Sequence, residues 1–329
     1  MDDGSEIGRR WIVVGGAGFI GGHFVDRLLG TDGVDAVTVY DNFSSGREWH
    51  LDAHREDPRL TTVRAEVAAI DSLAEAMAGH DVVVHLASNP DIAAAMNDPD
   101  IDFREGTALT RAVVEAMRRS GTPRILYASG SGVYGDLGEH AAEEDHGPLV
   151  PVSTYGASKL AGEALISSYA AMFDLSGCAF RFGNVVGSRQ THGVGFDFVR
   201  RLLKDPTRLD ILGDGSQSKS YIHVEDVIDA VLLAHRRTPP PFRAYNVATG
   251  DYITVTEIAD LAVECLGLAR EDVEYVYSGG DRGWKGDVPI VRLDTDRIQS
   301  LGWTCRRGSA DALRAAMLAL VEDERAGRL

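Results

Sequence analysis

The sequence predicts an α/β protein, a doubly wound parallel sheet carrying a smaller C-terminal substrate-binding lobe. Two observations carry this: the glycine turn Gly15-Gly16-Ala17-Gly18-Phe19-Ile20-Gly21, and the alternation of strand-like and helical runs through the first half of the 329 residues. A third stretch, Tyr155-Gly156-Ala157-Ser158-Lys159, adds a reactive pair to that frame.

The run Trp11-Ile12-Val13-Val14 before the turn is apolar, β-branched and of strand length. After it, apolar residues recur at helical spacing from Phe19-Ile20 through Phe24-Val25 to Leu28-Leu29. Strand, glycine turn and helix are the context of a Rossmann-type dinucleotide site. Gly16, Gly18 and Gly21 satisfy Gly-x-Gly-x-x-Gly, and Gly15, Gly18 and Gly21 satisfy the longer Gly-x-x-Gly-x-x-Gly spacing. The helix start offers unpaired N–H groups and a positive dipole end to a pyrophosphate, and a side chain at the middle glycine would hold that group away.

A second strand, Ala36 to Tyr40, ends at Asp41, twenty residues after Gly21. An acid at that distance accepts hydrogen bonds from the adenosine ribose, and its charge repels a 2′-phosphate, so NAD is expected rather than NADP. Arg47 is the nearby cation that argues the other way. Further strands are expected over Asp81 to Leu86, Arg124 to Ala128 and Gly177 to Phe182, with helices over Asp71 to Ala78, Thr107 to Arg119 and Thr154 to Phe173. Ligands of such sheets bind at the carboxyl ends of the strands, so the segments after Leu86, Ala128 and Phe182 should line the site. Past Gly187 the alternation loosens. The expected division is a dinucleotide-binding domain over 8–186, with 220–247 returning to it, and a substrate lobe over 187–219 and 248–325. Pro239-Pro240-Pro241 reads as a stiff connection.

The formal charge of −17 makes nucleic acid and anionic membrane poor partners, so an anionic substrate needs a local basic pocket. No run is long enough to cross a membrane, and the acidic first residues lack a signal-peptide core. Cys178, Cys265 and Cys305 have no metal or redox spacing. No His, Asp or Glu spacing suggests a metal site, and His85 and His223 read as packed or hydrogen-bonded residues. A cytoplasmic protein with reduced thiols is expected.

Tyr155 and Lys159 stand at i and i+4 on one helix face. A phenol titrates near pH 10 in water, so a base at neutral pH needs help. The ammonium and a positive nicotinamide are both expected to favour the phenolate, with Lys159 also bonding the nicotinamide ribose.

With these motifs in view, the chain resembles the extended short-chain dehydrogenase/reductase family, specifically its nucleotide-sugar epimerases. The resemblance runs from Gly15 to Gly21 through Asp41-Asn42, Ser44 to Gly46, Leu86-Ala87-Ser88, Val133-Tyr134-Gly135 and Tyr155 to Lys159. It continues through Arg181 to Gly187, Gly213-Asp214-Gly215 and Tyr221 to Val224 with Asp226. Gly280 to Pro289 looks like a form found in archaeal-type UDP-galactose 4-epimerases. The resemblance implies that Gly15, Gly18, Phe19, Ile20, Gly21, Asp41, Asn42, Ser44 and Gly46 hold NAD. It places Glu66 and Val67 beside the adenine and Leu86, Ala87 and Ser88 along the cofactor. Asn184 would bond the nucleotide-sugar diphosphate, with Lys219 and Arg282 as cations, and Asp287, Thr191 and His192 would complete the substrate side. Lys219 stands where many relatives carry Arg, which removes planar two-point recognition. Homodimerisation through the helices over Thr107 to Arg119 and Thr154 to Phe173 is also implied.

Relatives usually place Ser or Thr three residues before the Val of Val-Tyr-Gly, where its hydroxyl serves the reacting sugar oxygen; here that residue is Gly130. Three readings stand at this point: Ser131 or Ser129 reaches in, a water replaces the hydroxyl, or the chemistry is altered. Related 4,6-dehydratases carry an Asp-Glu pair just before Val-Tyr-Gly, whereas this chain has Ser131-Gly132. The expected reaction is therefore 4-epimerisation of a nucleotide-diphosphate sugar of the UDP-glucose/UDP-galactose type. The alternatives are another nucleotide-sugar tailoring reaction, or a non-catalytic NAD-binding regulator on the same fold.

Overall fold

Alternation along each strand builds the two faces of the sheet. In β1 (Arg10–Val14), Trp11 and Val13 face one side and Ile12 and Val14 the other, all without exposure. The computed structural model describes residues 8–328. In it β1 is joined by β2 (Ala36–Asp41), β3 (Leu60–Arg64), β4 (Val82–His85), β5 (Arg124–Gly130), β6 (Ser176–Phe182) and β7 (Phe242–Val247). Their order is β7-β6-β5-β4-β1-β2-β3, with every neighbouring pair parallel. The order reverses between β1 and β4, which opens a crevice beyond their carboxyl ends. Strands buried on both faces need continuous apolar runs, and β1 and β4 have them.

The helices follow in chain order: α1 (Phe19–Leu29), α2 (Ile70–Met77), α3 (Leu109–Ser120), α4 (Thr154–Met172), α5 (Val194–Lys204), α6 (Val224–Arg237) and α7 (Val255–Cys265). Helices α1 and α6 cover one face through Phe24, Leu28, Val227 and Val231. Helices α2, α3 and α4 cover the other through Leu73, Met77, Val113, Met117 and Ile166. A separate core gathers α5, α7 and the C-terminal helix (Ser309–Arg325) around Phe198, Leu209, Ile258, Leu313 and Met317. It includes a parallel pair of short strands, Arg208–Ile211 and Glu274–Tyr277.

Two features differ from the sequence reading. Strand β3 is absent from it, because Leu60-Thr61-Thr62-Val63-Arg64 is an edge strand, largely exposed and without a continuous apolar run. The second concerns the packing of two side chains beyond 248. Ile298 and Trp303 pack into the core of the sheet rather than the lobe, and the Trp303 indole N–H donates to the Asp226 carbonyl at 3.1 Å.

Beneath the end of β5 lies a buried ion pair between Arg181 of β6 and Glu163 of α4, their side chains 5% and 6% exposed. Arg181 Nη2 and Nε donate to Glu163 at 2.7 and 3.0 Å, and Nη1 donates to the Tyr134 hydroxyl at 2.8 Å and the Glu144 carbonyl at 3.0 Å. Tyr134 in turn donates to Asn246 of β7 at 2.7 Å. Glu163→Ala leaves the guanidinium buried without its counter-charge. That substitution is expected to lower stability by about 3–5 kcal/mol in urea unfolding, and a loss below about 1 kcal/mol would show the pair to be dispensable.

Candidate active site

The glycine turn is built by close backbone approach. A Cβ at Gly21 would stand 2.3 Å from the Gly15 carbonyl, and one at Gly15, where φ is +84°, would stand 2.7 Å from the Ala87 nitrogen. Gly18 precedes α1, and a Cβ there would meet the Gly15 carbonyl at 3.3 Å and nothing else within 4 Å. The open side of Gly18 is thus the approach to the helix N-terminus, a cradle suited to a pyrophosphate. His50 supports the turn from below, its Nδ1 bonded to the Ala17 carbonyl at 2.8 Å. Burial pushes its imidazole down to about 4, so the ring is neutral at physiological pH.

Asp41 is 6% exposed, and its two oxygens accept from the Ala17 and Phe43 N–H groups at 2.9 and 2.7 Å. A carboxylate oxygen takes more than one donor, so these bonds orient Asp41 without exhausting it for a ribose. Gly46 is buried against Asp41, while the Asn42 amide donates to Glu66 at 3.0 Å and accepts from the Ser44 N–H at 3.0 Å. Val67 turns its side chain into the core under α2. Arg47, the cation that argued for NADP, curls onto the Ser45 and Gly46 carbonyls. Phe19 and Ile20 lie in the core cluster below the turn, and Leu86 and Ala87 sit against β1 through bonds to the Val14 carbonyl.

The first turn of α4 closes on the Ser131–Val133 segment: a Cβ at Gly156 would stand 2.4 Å from the Gly132 carbonyl. Lys159 is 3% exposed, and its Nζ donates to the Ala128 carbonyl at 2.9 Å, 5.3 Å from the Tyr155 ring centre and 5.4 Å from that of Tyr127. Burial pushes the Lys159 ammonium down to about 8. Burial pushes the Tyr155 phenol up to about 12, with Asp102 adding to the rise. The expected lowering of the phenol invoked a positive nicotinamide together with the ammonium, and the ammonium by itself does not produce it. In the chain alone desolvation outweighs the ammonium, which lies over the ring rather than on the oxygen.

The structure separates the two serines. Ser129, 4% exposed, donates its hydroxyl to Glu163 at 2.6 Å inside the buried ion-pair network, so it does not reach the reacting side of Tyr155. Ser131 lines a small cleft with Tyr134, His140 and Arg292. At Gly130 the backbone is extended (φ −159°), and a Cβ would meet the Tyr155 ring edge at 4.0 Å, an ordinary contact. Nothing steric requires glycine there.

On the substrate side, Lys219, Arg282 and Asp287 come together. Lys219 pairs with Asp287 at 2.6 Å, and Arg282 pairs with Asp136 at 2.6 Å while donating to the Asp287 carbonyl at 2.5 Å. Each cation therefore already faces a carboxylate. Asn184 is exposed and donates to the Ser220 carbonyl at 3.1 Å. Thr191 and His192 lie on the loop before α5, where burial pushes the His192 imidazole down against the opposing charges of Asp197 and Asp91.

A dinucleotide turn and a Tyr/Lys helix across one crevice match a known family model. Residues 11–248 match the NAD dependent epimerase/dehydratase family. The chain belongs to that family. Its cofactor is NAD, and the family's members are enzymes. A UDP-glucose 4-epimerase of Mycolicibacterium smegmatis is 33% identical over 303 residues, covering 89% of this chain and 93% of that protein. A dTDP-glucose 4,6-dehydratase of Streptomyces griseus is 31% identical, covering 93% and 92%. The crystal structure of a UDP-galactose 4-epimerase superposes with a TM-score of 0.84 at 34% identity, covering 95% of this chain and 99% of that one.

Within this epimerase/dehydratase chain, four residues of the site were invisible to sequence reasoning. His50, Asn89 and Asp102 sit in no motif singled out there, and only the tertiary fold buries them. Arg292 follows the Gly280 to Pro289 stretch, and its guanidinium lies 3.9 Å from the Tyr252 ring centre while donating to the Ser218 carbonyl at 3.0 Å. A basic residue beside an already distinctive segment was the one available signal.

The buried ammonium has a measurable signature. With the folded pKa of Lys159 lowered to about 8 from an unfolded value near 10.5, the unfolded chain binds more protons between those limits, so stability rises with pH there. Below pH 8 the cost of the buried charge is fully present. The stability difference between wild type and Lys159→Met is expected to climb from about pH 8 upward in urea unfolding, by at most about 1.4 kcal/mol per pH unit. A flat difference between pH 7 and 10 would contradict the lowered value.

Proposed function

We propose that this enzyme is a 4-epimerase of a nucleotide-diphosphate sugar, of the UDP-glucose/UDP-galactose type, acting through a 4-keto sugar with Tyr155 as acid and base. The observation that carries this reading is the pairing of Tyr155 and Lys159 with a segment, Ser131-Gly132, that holds no acid. Dehydration needs an acid and a base at that place to withdraw one proton and expel water. Relatives of both reaction types match this chain, and the missing acids favour epimerisation.

NAD, held by the glycine turn from Gly15 to Gly21 and by Asp41, would supply the hydride acceptor and donor for C4 of the sugar. The chain's own residues do the rest. Tyr155 takes the proton of the C4 hydroxyl as hydride departs and gives it back on return. Burial withholds stabilisation from the Tyr155 phenolate, and the positive charge of an oxidised nicotinamide would be the group to supply it. Lys159, fixed on the Ala128 carbonyl, sets the depth of the pair and reaches the nicotinamide ribose. Lys219 and Arg282 hold the diphosphate, with Asn184 as a further donor. Of the two serines, Ser131 is the one left outside the ion-pair network and free to serve the reacting sugar oxygen.

A second reading, another nucleotide-sugar tailoring reaction, draws on the open wall at Gly130, which leaves room for a differently substituted sugar carbon beside Tyr155. We place the enzyme in the cytoplasm as a homodimer. Support comes from its free cysteines and from the small, outward residues Ala157, Ala164, Ser168 and Ala171 of α4, with the exposed Phe103 nearby in sequence to α3.

The assignment is tested by NMR of UDP-glucose and UDP-galactose incubated with the protein and no added nicotinamide cofactor. Tyr155→Phe should lose turnover by roughly 10²–10⁴-fold while retaining bound NAD, and full activity in that variant would sink the assignment. Gly130→Ser fits the extended backbone and open space, so stability should stay within about 0.5 kcal/mol. The added hydroxyl beside Tyr155 is expected to raise kcat by roughly tenfold or more. An unchanged kcat in a folded Gly130→Ser would mean that Ser131 already performs that role.

A further inference from the structure

Asp102 is 1% exposed and directly precedes a π-helical turn, Phe103–Ala108, that leads into α3. Single π turns inside helices frequently accompany functional sites. This one presses its segment onto α4. A Cβ at Gly106 would stand 2.7 Å from the Ser158 hydroxyl, and Ser158 donates to the Tyr155 carbonyl at 2.8 Å. Held there, the Asp102 carboxylate accepts from the Thr154 hydroxyl at 2.6 Å and from the Asn89 amide at 2.9 Å. Thr154 opens α4 and immediately precedes Tyr155; Asn89 immediately follows Leu86-Ala87-Ser88. The two donors belong to the two elements that must face each other across the crevice.

We propose that Asp102 is a positioning residue of the active site: its carboxylate ties the first turn of α4 to the loop after β4 and stands as the negative charge facing Tyr155 and Lys159. This rests on the reading of Tyr155 and Lys159 as the reacting pair. The other titratable groups around the pair are Tyr127, under Lys159, His85, bonded to Thr110 at 3.0 Å and kept neutral by burial, and Glu163, one turn further along α4 and paired with Arg181. The charge of Glu163 is taken up by the Arg181 guanidinium, and Tyr127 and His85 offer no negative charge near neutral pH. Asp102 does, and it acts on both members, sustaining the Lys159 ammonium against desolvation and opposing ionisation of Tyr155. The device keeps the proton on the phenol until the positive nicotinamide and the sugar hydroxyl are both in place. It touches neither ligand itself.

The test uses the full chain at one saturating NAD concentration. Urea unfolding from pH 6.5 to 9.5 compares wild type with Lys159→Met, and Asp102→Asn with the Asp102→Asn/Lys159→Met double variant. Removing the negative charge should start the Lys159-dependent rise in stability about one pH unit lower in the Asp102→Asn background. The same starting pH in both backgrounds would overturn the electrostatic role. Thr154→Val keeps the charge and breaks the tie, and it decides the positioning role even if Asp102→Asn fails to fold. It should speed hydrogen exchange in the first turn of α4 about tenfold and lower kcat about tenfold. KM should stay within twofold, and the pH of the Lys159 rise should not move. Unchanged exchange and kcat in Thr154→Val would overturn the positioning role. The unfolding and exchange measurements need no turnover, so failure of the epimerase reading shows separately, as an inactive wild type.

Discussion

The buried pair of Arg181 and Glu163 fixes the geometry on which the rest of the site depends. Glu163, Lys159 and Tyr155 follow one another at intervals of four residues on the same face of α4. Holding Glu163 against β6 therefore holds the two reactive groups at set heights above the end of β5. The same guanidinium reaches Tyr134, and Tyr134 reaches Asn246, so the segment carrying Ser131 and the edge strand β7 are anchored to one charge. Two charges this far from water are costly alone and tolerable together because each polar atom has a partner at good distance. Conformational precision, more than net stability, is what such an arrangement supplies here.

A second constraint is the approach of backbone to backbone at two helix starts. Gly21 lies against Gly15, and Gly156 lies against Gly132, each closer than any side chain permits. The first contact seats α1 so that its N-terminus points into the crevice. The second seats α4 so that Tyr155 enters it from the opposite side. One helix follows the glycine turn and the other carries Tyr155 and Lys159, and each is docked onto a strand end or the short segment just beyond it.

Much of this was legible in the sequence because it is local. A glycine turn between an apolar strand and an amphipathic helix, an acid after the next strand, and a Tyr/Lys pair one helical turn apart all declare themselves within short windows. What escaped is what only the tertiary fold decides. Strand β3 forms at an edge where little apolar pattern is needed, and Trp303, with Ile298, returns to a core built mostly from the first half of the chain and α6. The burial of Asp102 follows from a π turn that no residue pattern announced. The direction of the Tyr155 shift depended on where the Lys159 ammonium lay relative to the ring and on how much water the site excludes. Ser129 and Ser131 looked interchangeable on paper, yet the pleat of β5 sent one into the ion-pair network.

The cations of the substrate side have partners 68 and 146 residues away in the chain, Asp287 for Lys219 and Asp136 for Arg282. Both cations are thereby already paired, inside a protein whose overall charge is strongly negative. On the proposed reading, an anion arriving at Lys219 and Arg282 would not fill a bare positive hole; it would trade places with carboxylates that stay tethered beside it. Binding then resembles ion exchange on a resin. Part of the attraction is cancelled by the displaced groups, and affinity depends less steeply on added salt than two uncovered cations would make it. The tethered carboxylates also wait to reclaim their partners, which favours quick departure of the anion over long residence.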